Sequence, residues 1–275
     1  MLQQYALRRM ALLLLLALTT LGTCLTPTSS SIARDTGPLL LWENWGVYTV
    51  DSEGDVGYAN GLALDRQGRP HIAYRDSTNA DLKYAWYDGT SWHIEVVDSE
   101  GSVGYSTEIA VDDQDRPHIA YRDLSNTALK YAWYNGTSWH VEVVDNSGDV
   151  GYNIDMALDR QGRPHISYWD GTTNCLKYAW YDGTSWHIEV VDSEGNTGYN
   201  CEITMDSQDR PHIAYQDWDT YDLRYARYDG ISWRLEVVDS ESYVSWAIDI
   251  AVDSQDRPHI SYFDYNNKDI RYALY

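Results

Sequence analysis

A 47-residue unit recurs through this chain with no insertion or deletion. The phrase RPHIAY or RPHISY starts at Arg69, Arg116, Arg163, Arg210 and Arg257, each start 47 residues after the one before. A unit this short cannot bury an apolar face alone and must stack on its neighbours. Anything present in every copy is therefore framework first. Function is to be sought where the copies differ.

The first copy reads as four strands. Gly61–Asp65 is short and apolar, Arg66–Arg69 is a turn, and Pro70–Asp76 is a second strand whose leading proline has no N–H to lose. A polar loop, Ser77–Asp81, precedes a third strand at Leu82–Asp88. After the turn Gly89–Ser91, Trp92–Val97 alternates, which places Trp92, Ile94 and Val96 on a buried face opposite His93, Glu95 and Val97. The link Asp98–Thr107 leads into the next copy. Four strands with short connections, then a longer link, predict an all-β, five-bladed β-propeller with four antiparallel strands per blade.

The phase of the repeat predicts where the ring closes. The fifth copy reaches Tyr275 after three strands, while Trp45 lies 47 residues before Trp92, and Val50–Gly54 repeats Val97–Gly101. Residues 41–275 number 235, five periods of 47. The strand 42–50 is expected to complete the C-terminal blade and remove a free sheet edge. An open solenoid would need distinct polar caps, which the sequence does not contain.

In period, blade count and aromatic richness, residues 41–275 resemble the tachylectin-2-type lectins, five-bladed propellers that bind N-acetylated sugars. No binding motif of that family matches residue by residue, so the resemblance assigns no binding residues. The hairpin Tyr87-Asp-Gly-Thr-Ser-Trp92 is similar to a shortened Asp-box of sialidase-type propellers, with one residue fewer between Asp and Trp. That motif is structural in its family and implies no catalysis.

With 42 acidic against 20 basic residues the formal charge is −22, which repels a phosphate backbone and argues against nucleic acid as a partner. Residues 1–24 read as an export signal: Arg8 and Arg9 precede an apolar run too short to span a bilayer. Leu21-Gly-Thr-Cys24 resembles a bacterial lipobox that would lipidate Cys24, although Thr23 is not the usual small residue. Residues 25–40 include a Ser/Thr/Pro-rich tether. The expected location is secreted or outer-surface, with no transmembrane span in the mature chain, and a monomer.

The turn pair Asp65/Arg69 and its equivalents, and His71, His118, His165, His212 and His259, recur in every copy. A charged hairpin and half-buried strand histidines explain them. One histidine per blade is poor metal chemistry, and no metal or cofactor is expected. His93, His140 and His187 read as exposed outer-strand residues. Asp76, Asp123, Asp170, Asp217 and Asp264 end each second strand. An Asx turn explains them, and so would carboxylates that accept hydrogen bonds from sugar hydroxyls. The loop that follows varies most, and its end of the ring also carries the link with Tyr58, Tyr105, Tyr152, Tyr199 and Trp246.

Later copies add aromatics there. The expected ligand-binding set is Trp169, Asp170, Asp217, Trp218, Tyr221, Tyr243, Trp246, Phe263, Asp264 and Tyr265. Aromatic faces beside carboxylates suit a sugar. The expected partner is a glycan bound multivalently, with a surface protein as the alternative. A glycosidase would need two unlike carboxylates, and near-equivalent blades have the wrong symmetry, although Asp219, Asp222 and Glu241 break it. Cys175 and Cys201 fall on the same end in neighbouring copies, and a disulfide between them is expected.

Overall fold

The computed structural model describes residues 46–275. Cys24, the proposed tether and residues 42–45 of the expected closing strand lie outside the described residues.

Five antiparallel sheets follow one another along the chain. Sheet one holds β1 (Val56–Leu64), β2 (Pro70–Asp76), β3 (Asp81–Tyr87) and β4 (Trp92–Asp98). Sheet two holds β5 (Tyr105–Val111), β6 (Pro117–Asp123), β7 (Ala128–Tyr134) and β8 (Trp139–Asp145). Sheet three holds β9 (Val150–Leu158), β10 (Pro164–Asp170), β11 (Cys175–Tyr181) and β12 (Trp186–Asp192). Sheet four holds β13 (Thr197–Met205), β14 (Pro211–Asp217), β15 (Leu223–Tyr228) and β16 (Trp233–Asp239). Sheet five has three strands, β17 (Val244–Val252), β18 (Pro258–Asp264) and β19 (Asp269–Leu274). Residues 46–50 are not in a strand, so among the described residues sheet five lacks the fourth strand expected from 42–50.

The hairpin turns form for the reason their residues suggest. Asp65 Oδ1 accepts the backbone N–H of Gln67 (2.9 Å) and Arg69 (2.8 Å), while Arg69 Nε donates to Oδ2. Burial works to raise the Asp65 pKa, but these bonds outweigh it and hold the carboxyl at about 2. The strand histidines are more deeply set than expected. His71, His118, His165 and His212 are buried, each with Nδ1 against the hydroxyl of a third-strand tyrosine. Burial lowers their pKa, so they serve as neutral core groups.

Successive sheets pack face to face. Leu82 and Tyr84 of sheet one join Ile109, Ile119 and Tyr121 of sheet two in one buried cluster. Equivalent clusters join sheets two and three, three and four, and four and five. A polar interlock spans each junction. Asp98, at the end of β4, accepts the hydroxyl of Tyr121 (2.6 Å) and the ammonium of Lys130 from sheet two. Asp145 binds Tyr168 and Lys177, Asp192 binds Tyr215 and Arg224, and Asp239 binds Tyr262 and Arg271 in the same way. Gly198 shows how close the packing is: its φ is +101°, and a Cβ would fall 2.8 Å from the Cα of Leu176.

The alternation expected for the fourth strands is present, but its two faces are exchanged. Val97, not Val96, packs against the core, on the same side of the strand as Glu95, and the register shift between Leu82 and Lys83 falls only at this C-terminal end of β4. Ile94 and Val96 are 41 % and 50 % exposed. Glu95, on the supposedly outward face, accepts the indole N–H of Trp139 across the junction at 3.0 Å.

Candidate functional site

The links between sheets and the loops after the second strands lie together, as their backbone bonds show. Trp218 N donates to Asn196 O, and Tyr265 N to Tyr243 O, both at 2.8 Å. This brings most of the sequence-predicted aromatics into one continuous series. Tyr152 lies 5.2 Å from Trp169, and Trp169 lies 4.5 Å from Tyr199, between ring centroids. Tyr199 stacks on Trp218 at 4.6 Å, and Trp218 is 5.8 Å from Tyr221. Tyr221 stacks on Tyr243 at 4.0 Å, Tyr243 lies 5.3 Å from Tyr265, and Phe263 meets Tyr265 edge-on at 6.4 Å. Eight rings thus run across sheets three, four and five, and none is fully buried.

Cations stand at both ends of the series. The Arg122 guanidinium lies 3.5 Å from the Tyr152 centroid, and the Lys268 ammonium lies 3.3 Å from that of Tyr265. Arg122 and the Tyr152 hydroxyl both bond Asp149. Position by position, the residue before the strand-ending aspartate is Arg75, Arg122, Trp169, Gln216 and Phe263. In sheet one Arg75 likewise covers Tyr105 at 3.8 Å. The aromatic surface begins where arginine gives way to Trp169.

Tyr221 has φ of +62°, a left-handed conformation unfavourable for a large side chain. The equivalent Asn174 tolerates it well, and Ala80, Thr127 and Lys268 share it. The loop holds Tyr221 there through its N–H on Asp217 O at 2.7 Å, as it holds Lys268 on Asp264 O at 2.9 Å.

The carboxylates sit behind this surface. Asp170, Asp217 and Asp264 are buried. Asp170 accepts the N–H of Thr172 (2.8 Å) and pairs with Lys177 (2.8 Å); Asp217 accepts the N–H of Asp219 (2.9 Å) and pairs with Arg224 (2.6 Å). Asp264 accepts from Asn266 and Asn267 and pairs with Arg271. In this arrangement they fix the loops that carry the rings. Trp246 falls in β17, but its side chain lies outside the described residues.

Two members of the series, Tyr152 and Tyr199, are marked by the sequence only as link aromatics, and Arg122 is not marked by it at all. The signal for them was their place in the repeat beside the Arg-to-Trp change. Beside Arg122 Nε, the buried polar atoms of the region without a partner include Trp169 Nε1 and Asn196 Oδ1. One is a donor and the other an acceptor.

The expected disulfide is not formed. Cys175 and Cys201 are free and buried. Cys175 Sγ bonds Thr173 Oγ1 at 2.9 Å, whereas Cys201 Sγ donates to Asn153 O at 2.8 Å in the core between sheets three and four. Burial raises both thiol pKa values. Among the described residues no cluster of three or more His, Cys, Asp or Glu is placed to hold a metal ion, and no helix is long and apolar enough to cross a membrane.

No family model matches the sequence, and no curated protein does. Solved structures share its fold. A SapL1 lectin in complex with α-methyl fucoside superposes with a TM-score of 0.58 at 14 % identity, covering 80 % of each chain. A protein of unknown function from Dyadobacter fermentans gives 0.55 at 11 % identity over 78 % of each chain. A variant of the Aleuria aurantia lectin with Fucα1-6GlcNAc gives 0.53 at 15 % identity over 78 % of this chain and 74 % of that one. At these identities the likeness is one of fold.

Proposed function

We propose that this protein is a non-catalytic, lectin-like carbohydrate-binding propeller that recognises glycans through the aromatic surface of sheets three to five. The observation that carries this reading is the series from Tyr152 to Phe263, built from loops that differ between copies on a scaffold that does not. Aromatic faces bind the apolar faces of sugar rings, while the exposed ammonium of Lys268 beside Tyr265 supplies a polar contact. Two of the fold neighbours hold fucose-containing ligands, which makes fucosides the first sugars to test. The acid–base pair a glycosidase needs finds little support, because the strand-ending carboxylates are buried and spent on turns and ion pairs.

The sheets are proposed to be five blades of a closed ring, with residues 42–50 as the fourth strand of the fifth. Asp51 supports this: it accepts the hydroxyl of Tyr74 (2.7 Å) and the ammonium of Lys83, the bonds that Asp98 makes to Tyr121 and Lys130. The segment entering Asp51 therefore plays the part of the fourth strand of a preceding sheet. Export through residues 1–24 and lipidation at Cys24 remain the reading of the N-terminus, and would place the glycan-binding face outside the cell.

A glycan array probed with the folded protein tests the function. Binding that falls at least tenfold in Trp218→Ala, with melting unchanged, is expected. Capture of an envelope protein that free sugars do not compete would instead assign the surface to protein recognition.

A further inference from the structure

A binding site supplied once by every copy of the repeat would draw on the same positions at each junction between sheets. The aromatic series does not. Between sheets one and two Arg75 covers the link residue Tyr105 at 3.8 Å, and between sheets two and three Arg122 covers Tyr152 at 3.5 Å. Between sheets three and four the position of these arginines is held by Trp169, and the link residue Tyr199 lies 4.5 Å from it and 4.6 Å from Trp218. Between sheets four and five that position is Gln216, whose amide is committed to Val244 O. The contact there is made from a different place, by Tyr221 at the end of the loop, stacked on Tyr243 at 4.0 Å. Tyr221 stands where the other copies have Ala80, Thr127, Asn174 and Lys268, and Tyr243 stands where sheet four has Asn196.

These unlike contacts join into one path. From Tyr152 to Tyr265 consecutive ring centroids are 4.0–5.8 Å apart without a break, a step comparable to one sugar of an extended chain. Stacking fixes the rings before a ligand arrives, so little side-chain freedom is lost on binding. We propose that the protein carries one elongated site, which holds the interior of a linear, neutral glycan along the ring series several sugars at a time, in place of one small site per sheet. This rests on the carbohydrate-binding reading and names its ligand class and stoichiometry.

Charge sets the neutral class. Asp219 follows Trp218 and is exposed, and its Oδ2 accepts Asn196 N at 3.0 Å, which keeps the carboxylate at the series. Glu241 is exposed two residues before Tyr243. With a formal charge of −22 behind them, these groups repel uronate or sulfated chains and accept hydrogen bonds from the hydroxyls of a neutral one.

The test titrates the protein by calorimetry with cello-, xylo-, manno- and laminari-oligosaccharides, from the monosaccharide to the hexasaccharide, and with methyl fucoside. One of the ladders is expected to bind one glycan per protein chain, the hexasaccharide roughly tenfold or more tightly than the disaccharide. Trp169→Ala and Tyr265→Ala, at opposite ends of the path, should each weaken that hexasaccharide and leave the stoichiometry at one. Separate sites would behave otherwise: each change would lower the stoichiometry and leave the remaining affinity intact. That result, a wild-type stoichiometry above one, or methyl fucoside bound as tightly as any chain would overturn the elongated site and leave carbohydrate binding standing. No binding to any of these sugars would remove both.

Discussion

Removing one hydroxyl from the interlock between sheets gives a quantitative prediction. Tyr121 is fully buried, and its hydroxyl donates to Asp98 Oδ2 at 2.6 Å. Lys130 holds the same oxygen and Glu100 N bonds the other, so Tyr121→Phe leaves the carboxylate partnered. Only a hydrogen bond to a charged acceptor is lost, about 1.5–3 kcal/mol. For a domain of this size that corresponds to a fall in Tm of about 4–8 °C at the middle of that range. Tyr168→Phe and Tyr215→Phe remove the same bond at 2.7 Å and should cost the same. Asp98→Ala should cost more, about 3–5 kcal/mol, because it strands a buried ammonium whose next carboxylate, Asp123, is 3.9 Å away. Thermal and urea unfolding followed by circular dichroism measure the series. Losses below about 0.5 kcal/mol, the level of an ordinary surface change, at all three tyrosines would refute the interlock as a junction element.

Other tests follow from the same geometry. Glu108, Asp155, Glu202 and Asp249 project from four successive inner strands; burial and then Asp155 push Glu108 up to about 8, and burial with the neighbouring carboxylates raises Asp155 and Glu202. Groups with raised folded-state pKa bind more protons folded than unfolded, so above the range in which the four buried histidines titrate stability should fall as pH rises from about 7 towards 9. Glu108→Gln should flatten that slope, and a Tm indifferent to pH across this window would contradict the assignment. Cys175 and Cys201 should react with a thiol reagent only after unfolding, and the mass of the unreduced protein should show no two-hydrogen loss. Trp218→Ala should leave Tm within about 2 °C, as expected for a partly exposed loop residue, while weakening any glycan that binds.

Much of the strand pattern was legible because the repeat isolates it. Proline at the head of each second strand, Asp65-type turns and the 47-residue phase mark β2, β6, β10, β14 and β18 at their observed limits. The aromatic surface was partly legible, since variation among copies singled out Trp169, Trp218, Tyr221, Tyr243 and Tyr265. Its continuity was not, because it depends on Tyr152 and Tyr199 bridging sheets, which only tertiary placement reveals. Asp170, Asp217 and Asp264 looked available because their partners Lys177, Arg224 and Arg271 stand seven residues on, across a hairpin. The inward direction of Glu95 was not legible, because the group it serves, the Trp139 indole, stands 44 residues on in the next sheet. Proximity of Cys175 and Cys201 in the repeat said nothing of direction, and their thiols bond different partners.

Titration calorimetry of the folded chain with the best ligands from a glycan array, fucosides included, tests the central claim most directly. The account predicts saturable binding to the wild-type protein that Trp218→Ala and Tyr221→Ala each weaken at least tenfold, with Tyr105→Ala, outside the aromatic series, as the unaffected control. Equal affinity in all four proteins, or no binding to any glycan, would contradict it.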